Sequence, residues 1–210
     1  MNNYPLVFTI LFLLVGPLKT IRPFADATRD LDRAFQRSIA IHATIIAAVL
    51  VAFVALAGSN LLVKYQVSIG ALRLAAALVL LLSALRTMFV ADSGPARIVP
   101  GTSPLQAAAA PISSPIVVTP AGVAAILIFA MLSPTSPGMM QDVGVSLAII
   151  IPLNFLVMYF NRWIVGRGLL MLALQLLGEV LVFVQVAMAV EIMLMGLRGL
   201  GVIAAAAGLP

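Results

Sequence analysis

Two carboxylates lie inside the last apolar segment of this chain, and carboxylates can carry protons or pair with cations. Glu179 lies ten residues after Leu169, where that segment begins. If the segment crosses a membrane, Glu179 is near the bilayer centre, where an ionised carboxylate costs about 3 kcal/mol and needs a partner, water or a proton. One interpretation is proton coupling, in which the carboxyl group is protonated from one side and deprotonated to the other. The other is a structural carboxyl group that bonds a Gln or Ser of a neighbouring helix or faces a partner subunit.

The second carboxylate, Glu191, can be matched with an arginine of an earlier segment. Arg73 lies one turn inside the third apolar segment, and Glu191 lies near the end of the sixth. Those two segments would cross a membrane in opposite directions, so both residues would lie at a similar depth. We expect an ion pair between Arg73 and Glu191, with either a structural role or a role in gating a substrate.

Two interruptions by Pro and Gly are the places where backbone groups could bind a solute. Gly16-Pro17 breaks the first apolar segment, and Thr119-Pro120 breaks the fourth, 103 positions after Pro17. Proline has no N–H, and lipid cannot hydrogen-bond the freed carbonyls, so such breaks persist only where protein or a wet cavity covers them. One interpretation is a binding site in which helix N-termini meet a carboxylate and free carbonyls meet an ammonium group or an ion. The other is two proline kinks. The candidate substrate-binding residues are Gly16, Pro17, Thr20, Thr119, Pro120, Ala121 and Gly122.

Other kinds of site have little support in the residue types present. The chain has no Cys and a single His, which excludes thiolate chemistry and any Cys- or His-rich metal site. There is no nucleophile elbow, no His-Glu-x-x-His and no phosphate-binding Gly loop. The net charge is +5, but the basic residues are scattered between apolar segments, which does not favour nucleic acid. We therefore expect no enzyme activity, no metal, no cofactor and no nucleic-acid partner.

The composition indicates an all-α integral membrane protein, because 63% of the residues are hydrophobic and 9% are charged. Six apolar segments are expected, and the first is short, reaching roughly 22 Å against a hydrocarbon core of about 30 Å. It therefore either extends into the residues beyond Pro17 or stops inside the membrane. In the fifth, Asn154 beside Pro152 is expected to bond a carbonyl that a proline frees. The segments are approximately Tyr4–Leu18, Ser38–Ser59, Ala71–Val90, Leu105–Leu132, Val143–Phe160 and Leu169–Leu197.

The two breaks share an offset with other features of the chain, which predicts an internal repeat. A shift of 102 or 103 residues also lays the second segment on the fifth and Arg73 on Gln175. Residues 1–92 would form the first three-span repeat, residues 93–104 a linker rich in Gly, Pro and Ser, and residues 105–210 the second repeat. Because three is an odd number of spans, the second repeat would be inverted in the membrane, as in many secondary carriers.

The basic residues predict the orientation of these six spans. With the N-terminus and the C-terminus outside, nine of the twelve Lys and Arg fall inside and three fall outside, in agreement with the positive-inside rule. The nine are Lys19, Arg22, Arg29, Arg33, Arg37, Arg86, Arg97, Arg162 and Arg167, and the three are Lys64, Arg73 and Arg198.

Three motifs give the chain a resemblance to the MarC family of bacterial inner-membrane proteins, which is grouped with six-span neutral amino acid transporters. The run Gly16–Phe24 resembles the family's Asn-Pro-Ile-Gly-x-x-Pro-x-Phe motif, Arg73–Ala77 its Arg-x-x-Gly-Gly run, and Thr119–Gly122 its Gly-Pro-Gly motif. The resemblance covers most of the chain in spacing and hydropathy. It implies a bacterial inner-membrane location, Pro and Gly breaks that meet near the midplane, and a small neutral amino acid as solute.

The chain departs from these motifs where they place Asn or Gly. Gly16 stands for Asn, Lys19 for Gly, Ala76 and Ala77 for the Gly pair, and Thr119 and Ala121 for the Gly residues beside Pro120. Two functions are therefore expected as alternatives. One is a secondary carrier of a small neutral solute, either with or without proton coupling. Such a carrier would be a monomer or a homo-oligomer. The other is a non-transporting subunit that uses the same fold as an interaction surface in a larger membrane complex.

Overall fold

The computed structural model describes residues 4–89, 98, 102–109, 117–133, 136 and 138–203, and within these ranges all regular structure is helical. The all-α prediction is therefore confirmed for the described residues. The expected linker at residues 93–104 lies largely outside these ranges. The helices are α1 (Tyr4–Val15), α2 (Leu18–Ala27), α3 (Arg33–Lys64), α4 (Ile69–Phe89), α5 (Pro104–Ala107), α6 (Pro120–Leu132), α7 (Met139–Tyr159), α8 (Asn161–Val165) and α9 (Gly168–Gly199).

Five helical stretches are long and apolar enough to cross a membrane. The first is Tyr4–Ala27, which joins α1 and α2 across the break and is nine residues longer than the expected first segment. The other four are α3, α4, α7 and most of α9. The expected fourth segment corresponds to α5 and to α6, an apolar helix of 13 residues. Six long spans are thus not present among the described residues.

The long helix α3 has two distinct faces, as expected of a helix between protein and lipid. Its buried face carries small and β-branched residues at helical spacing, including Ala40, Ala43, Ala47 and Val51. Small residues let neighbouring helix backbones approach closely in a membrane. Its exposed face carries large apolar residues, namely Ile41, Ile45, Val49, Phe53 and Leu56.

Helices α4 and α9 form a close pair through glycine. A Cβ atom added to Gly196 of α9 would lie 2.9 Å from Leu74 Cγ and 3.1 Å from the Gly70 carbonyl oxygen of α4. A Cβ atom on Gly70 would likewise meet Leu200 at 3.0 Å. The two helices therefore pack backbone to backbone at the end of the bundle where α4 begins and α9 ends.

The first and second halves of the chain interlock rather than sitting side by side. Helix α1 packs against α6 and α7, α3 packs against α6 and α7, and α4 packs against α6 and α9. The main hydrophobic core is correspondingly shared, since Leu11 and Ile39 of the first half lie in it with Ile126 and Ile150 of the second. This arrangement places the break after α1 next to the start of α6.

Candidate functional site

The first span is broken where the sequence predicts. Pro17 has no N–H to continue the ladder of α1, and the N–H groups of Thr20 and Ile21 both bond the Pro17 carbonyl, at 3.0 and 3.2 Å, to start α2. The neighbouring Gly16 is required by space, because a Cβ atom there would lie 1.9 Å from the Phe12 carbonyl oxygen. Gly16 and Pro17 are both buried.

Two carbonyl groups at the end of α1 are bonded by side chains from the second half. The Thr119 hydroxyl donates to the Leu14 carbonyl at 2.9 Å, and Asn154 Nδ2 donates to the Val15 carbonyl at 2.7 Å. A helix end leaves carbonyls without intrahelical partners, and in an apolar interior each needs another donor. These two carbonyls of the break are therefore satisfied by protein, one of the two conditions under which such breaks persist.

The second break is a helix start and not a proline kink. Thr119 is the N-cap of α6, its hydroxyl oxygen accepts a bond from the Gly122 N–H at 3.1 Å, and Pro120 occupies the first turn, where its missing N–H costs nothing. Ala121 and Gly122 are buried, whereas the side chain of Pro120 is exposed. A Cβ atom on Gly122 would lie 2.3 Å from Val15 Cγ2. The two breaks are thus in direct contact.

Asn154 also joins the break to α2. Its Oδ1 accepts a hydrogen bond from the Thr20 hydroxyl at 3.0 Å, and both side chains are fully buried. The expectation that Asn154 bonds a freed carbonyl agrees with the structure, although the carbonyl belongs to Val15 of another helix and not to its own. One amide side chain therefore fixes α1, α2 and α7 together.

A second polar connection at the break links α2, α9 and α4. The Lys19 ammonium donates to Gln185 Oε1, and Gln185 Nε2 donates to the Leu80 carbonyl at 3.0 Å. Gln185 is only 1% exposed and is the central residue of the span Met171–Gly199. We refer to Lys19, Thr20, Thr119, Asn154 and Gln185, together with the Leu14 and Val15 carbonyls, as the polar cluster. The pairing of Lys19 with Gln185 was not foreseen, and its sequence signal is a polar residue at the midpoint of an apolar span.

The second half of the chain also bonds Ile21 of α2 and the α2–α3 connection that follows it. Asn161 Nδ2 donates to the Ile21 carbonyl at 2.8 Å, and Asn161 is almost completely buried. Arg162 Nε donates to Gln36 Oε1 at 2.9 Å and its Nη2 donates to the Leu31 carbonyl. These bonds hold the chain directly after Lys19 and Thr20 and so help to keep both residues in position.

The two glutamates lie outside the polar cluster. Glu179 and Glu191 are exposed on α9, and Arg73 is partly buried on α4. Among the described residues no ion pair within 4.0 Å joins Arg73 to Glu191. The helical geometry gives the reason, because Glu191 lies two residues, or about 200°, from Ala189, which is fully buried. The described ranges also contain no group of three His, Cys, Asp or Glu residues that could hold a metal ion.

A family model described as MarC family integral membrane protein matches residues 1–201. No curated protein and no solved structure matches the chain.

Proposed function

Since the chain belongs to the MarC family of integral membrane proteins, we propose that it is a secondary carrier of a small neutral, amino acid-like solute. The observation that supports this most directly is the contact between the two breaks. The end of α1, the start of α2 and the start of α6 all meet at the polar cluster, inside an otherwise apolar bundle. In secondary carriers, broken helices that meet near the midplane form the solute site.

The candidate binding residues have distinct parts in this proposal. Gly122 allows the start of α6 to approach the end of α1, since a Cβ atom there would lie 2.3 Å from Val15 Cγ2, and Gly16 and Pro17 form the break in the first span. Thr20 and Thr119 offer hydroxyl groups that already bridge the two halves and could exchange a protein partner for a solute. Pro120 and Ala121 set the start of α6, whose N-terminal dipole favours a carboxylate.

We further propose that the chain crosses the membrane six times as an inverted repeat of three plus three spans, with α5 and α6 together forming the fourth crossing. If a twofold axis relates the two halves, a contact between the first span of one half and the second span of the other must occur twice. The contacts of α1 with α7 and of α3 with α6 have this form. Helices α4 and α9 are the third spans of the two halves, and a twofold axis also allows these equivalent spans to contact each other.

The same proposal places both termini outside a bacterial inner membrane. The α2–α3 connection and α8 lie at one end of the bundle, where Arg162 bonds Leu31, and this end carries many of the basic residues. The positive-inside rule assigns such an end to the cytoplasm.

A transport assay tests the carrier function. Purified protein in liposomes should exchange labelled glycine or alanine, and Thr119→Val should slow the exchange about tenfold, because it removes the hydroxyl group that joins the two breaks. Thr44→Val is the matched control, since the Thr44 hydroxyl bonds Ala40 of its own helix. If none of a panel of small solutes were exchanged, the proposal would be contradicted.

One observation favours a second candidate, a non-transporting subunit of a membrane complex. Glu179 is exposed on α9 among large exposed side chains such as Leu172, Leu176 and Phe183. A carboxyl group facing lipid needs a proton or a partner from outside the chain. Mass spectrometry after mild extraction from the native membrane should then find other subunits, and Glu179→Gln should release them. For a proton-coupled carrier, the same substitution should instead abolish the pH dependence of uptake.

A further inference from the structure

Lys19 is a cation within the bundle whose described hydrogen bond goes to a neutral group. It belongs to the first candidate span, and its ammonium group contacts Gln185, the central residue of the last span. An ammonium group has three N–H donors, and the described residues supply one acceptor for it. Two donors and a full positive charge are left for another partner.

No acidic side chain of the described protein neutralises this charge. The chain has seven Asp and Glu residues, all of them described except Asp92. None of the described ones lies within 4.0 Å of the Lys19 ammonium group. A cation in a membrane interior normally pairs with an anion or a polar group, and its presence marks a functional site by default. Gln185 is the polar group, and an anion for the two remaining donors is expected on a ligand.

Three carbonyl groups near the break already receive hydrogen bonds from protein side chains. At the break, the carbonyl groups of Leu14 and Val15 each already receive a hydrogen bond, from Thr119 and Asn154. The Leu80 carbonyl likewise receives the Gln185 amide. With these carbonyls bonded to protein donors, the remaining N–H donors of the Lys19 ammonium group favour a negative group.

From these contacts we propose that the polar cluster binds the carboxylate group of its solute through Lys19, and that an amino group on the solute is not required. Gln185, held by Leu80, positions the ammonium group from the buried side, while Lys19 keeps partial exposure through which a ligand reaches it. Small monocarboxylates such as propionate are then ligands together with glycine and alanine. The transport part of this inference depends on the carrier function proposed above, whereas the binding part does not.

Ligand binding to the purified protein tests the inference without any transport. Thermal unfolding in detergent should shift upward with propionate and with alanine, and should not shift with propionamide or alaninamide at the same concentrations. Equal stabilisation by propionamide would overturn the inference. Equal stabilisation by chloride would also overturn it, because the site would then accept any anion.

Three variants connect the binding to Lys19. Lys19→Met should weaken propionate binding about 10- to 100-fold, as expected for the loss of a charge-assisted hydrogen bond. Lys19→Arg should restore part of the affinity. Lys64→Met is the matched control, since Lys64 is the other lysine of the chain and is exposed at the end of α3, and it should bind as the unaltered protein does. Unchanged affinity in Lys19→Met would overturn the inference.

A further variant covers the case in which Lys19→Met does not fold. Gln185→Glu places a carboxylate beside the ammonium group, so the charge pairs internally and the protein should stay folded while propionate binding is lost. Retained binding in Gln185→Glu would count against the inference. Flux measurements separate it from the carrier function. If propionate binds but no solute is transported, the carrier function alone is contradicted. If glycine is transported and Lys19→Met does not change its flux, the inference alone is contradicted.

Discussion

At the end of α1, two carbonyl groups depend on single side chains from distant parts of the chain. Thr119 bonds Leu14 across 105 positions and Asn154 bonds Val15 across 139 positions. Asn154 has the larger part, because its amide both donates to Val15 and accepts from Thr20, and it is fully buried. Removal of either partner leaves a polar group in an apolar interior without a hydrogen bond, which costs about 1–3 kcal/mol in proteins.

A double-mutant cycle measures how strongly Asn154 and Thr20 depend on each other. Asn154→Leu and Thr20→Val should each lower the free energy of unfolding, and the double variant should lose less than the sum of the two. The expected coupling is about 0.6 kcal/mol, with an upper bound near 1.7 kcal/mol for such bonds in membrane helices. Reversible unfolding in mixed micelles provides the measurement.

The control cycle uses Thr87→Val in place of Thr20→Val. The Thr87 hydroxyl bonds Ser83 within α4 and is exposed, so its coupling to Asn154→Leu should be zero. An equal coupling in the two cycles would mean that Asn154 acts on the whole bundle rather than through the Thr20 hydrogen bond.

At the scale of helices, the glycine contact between α4 and α9 determines how closely these two helices approach. Gly196→Leu places a side chain where Leu74 and the Gly70 carbonyl now lie within about 3 Å of the missing Cβ position. We expect the helices to separate, the Gln185 hydrogen bond to Leu80 to weaken, and the protein to lose about 1–3 kcal/mol of stability. Thermal unfolding of the purified protein gives the loss.

Gly178→Leu on the same helix is the matched control for this substitution. Apart from its chain neighbours and the backbone of its own helix, no atom lies within 4 Å of the Cβ position of Gly178. It should be neutral or slightly stabilising, because a helical glycine is replaced by a better helix former. If Gly196→Leu were as well tolerated as Gly178→Leu, the close packing of α4 and α9 would be contradicted.

The apolar segments could be predicted from the sequence, and their extent could be predicted less well. The last segment was expected at Leu169–Leu197 and forms α9 over Gly168–Gly199, because a long apolar run between charged ends predicts a single membrane-spanning helix. The sequence predicts a short first segment over Tyr4–Leu18 that either stops inside the membrane or extends beyond Pro17, and the candidate span extends through α2 to Ala27. Proline and the charged residues of α2 suggested an end, whereas its buried face of Thr20, Ile21, Phe24 and Ala27 has helical spacing.

The candidate site could also be predicted only in part from the sequence. The positions of the two breaks followed from Pro and Gly, whose backbone effects are local. The residues that bond the break could not be predicted from the sequence. Lys19 and Gln185, for example, are 166 positions apart, and their contact depends on how α2 and α9 pack. An exposed Glu191 also follows from the rotation of α9 about its axis, which hydrophobicity alone does not determine when apolar residues occur on every side of a helix.

At the scale of the whole molecule, the distribution of charge predicts a fixed orientation in the membrane. The chain has no Cys, so single cysteines can be introduced without further changes. Tyr65→Cys lies between α3 and α4 and is exposed, and Asp30→Cys lies between α2 and α3 and is exposed. A membrane-impermeant maleimide should label Tyr65→Cys in intact spheroplasts and Asp30→Cys in inverted vesicles only.

The opposite labelling pattern would overturn the orientation with both termini outside, but not the fold. Labelling of both cysteines from one side would contradict a membrane crossing by α3, which is 32 residues long and lies between them. Ser38→Cys would add little to the test, because Ser38 is partly buried within α3.

The long sequence separation of the break from its partners has a consequence for biosynthesis. When the ribosome has made α1 and α2, the residues that bond the Leu14 and Val15 carbonyls have not yet been translated. Until Thr119 and then Asn154 emerge, these carbonyls must be hydrated or shielded by the insertion machinery, since lipid cannot bond them. The first half of the chain therefore enters the membrane as an unfinished structure, and it reaches its final form only after translation has passed α7.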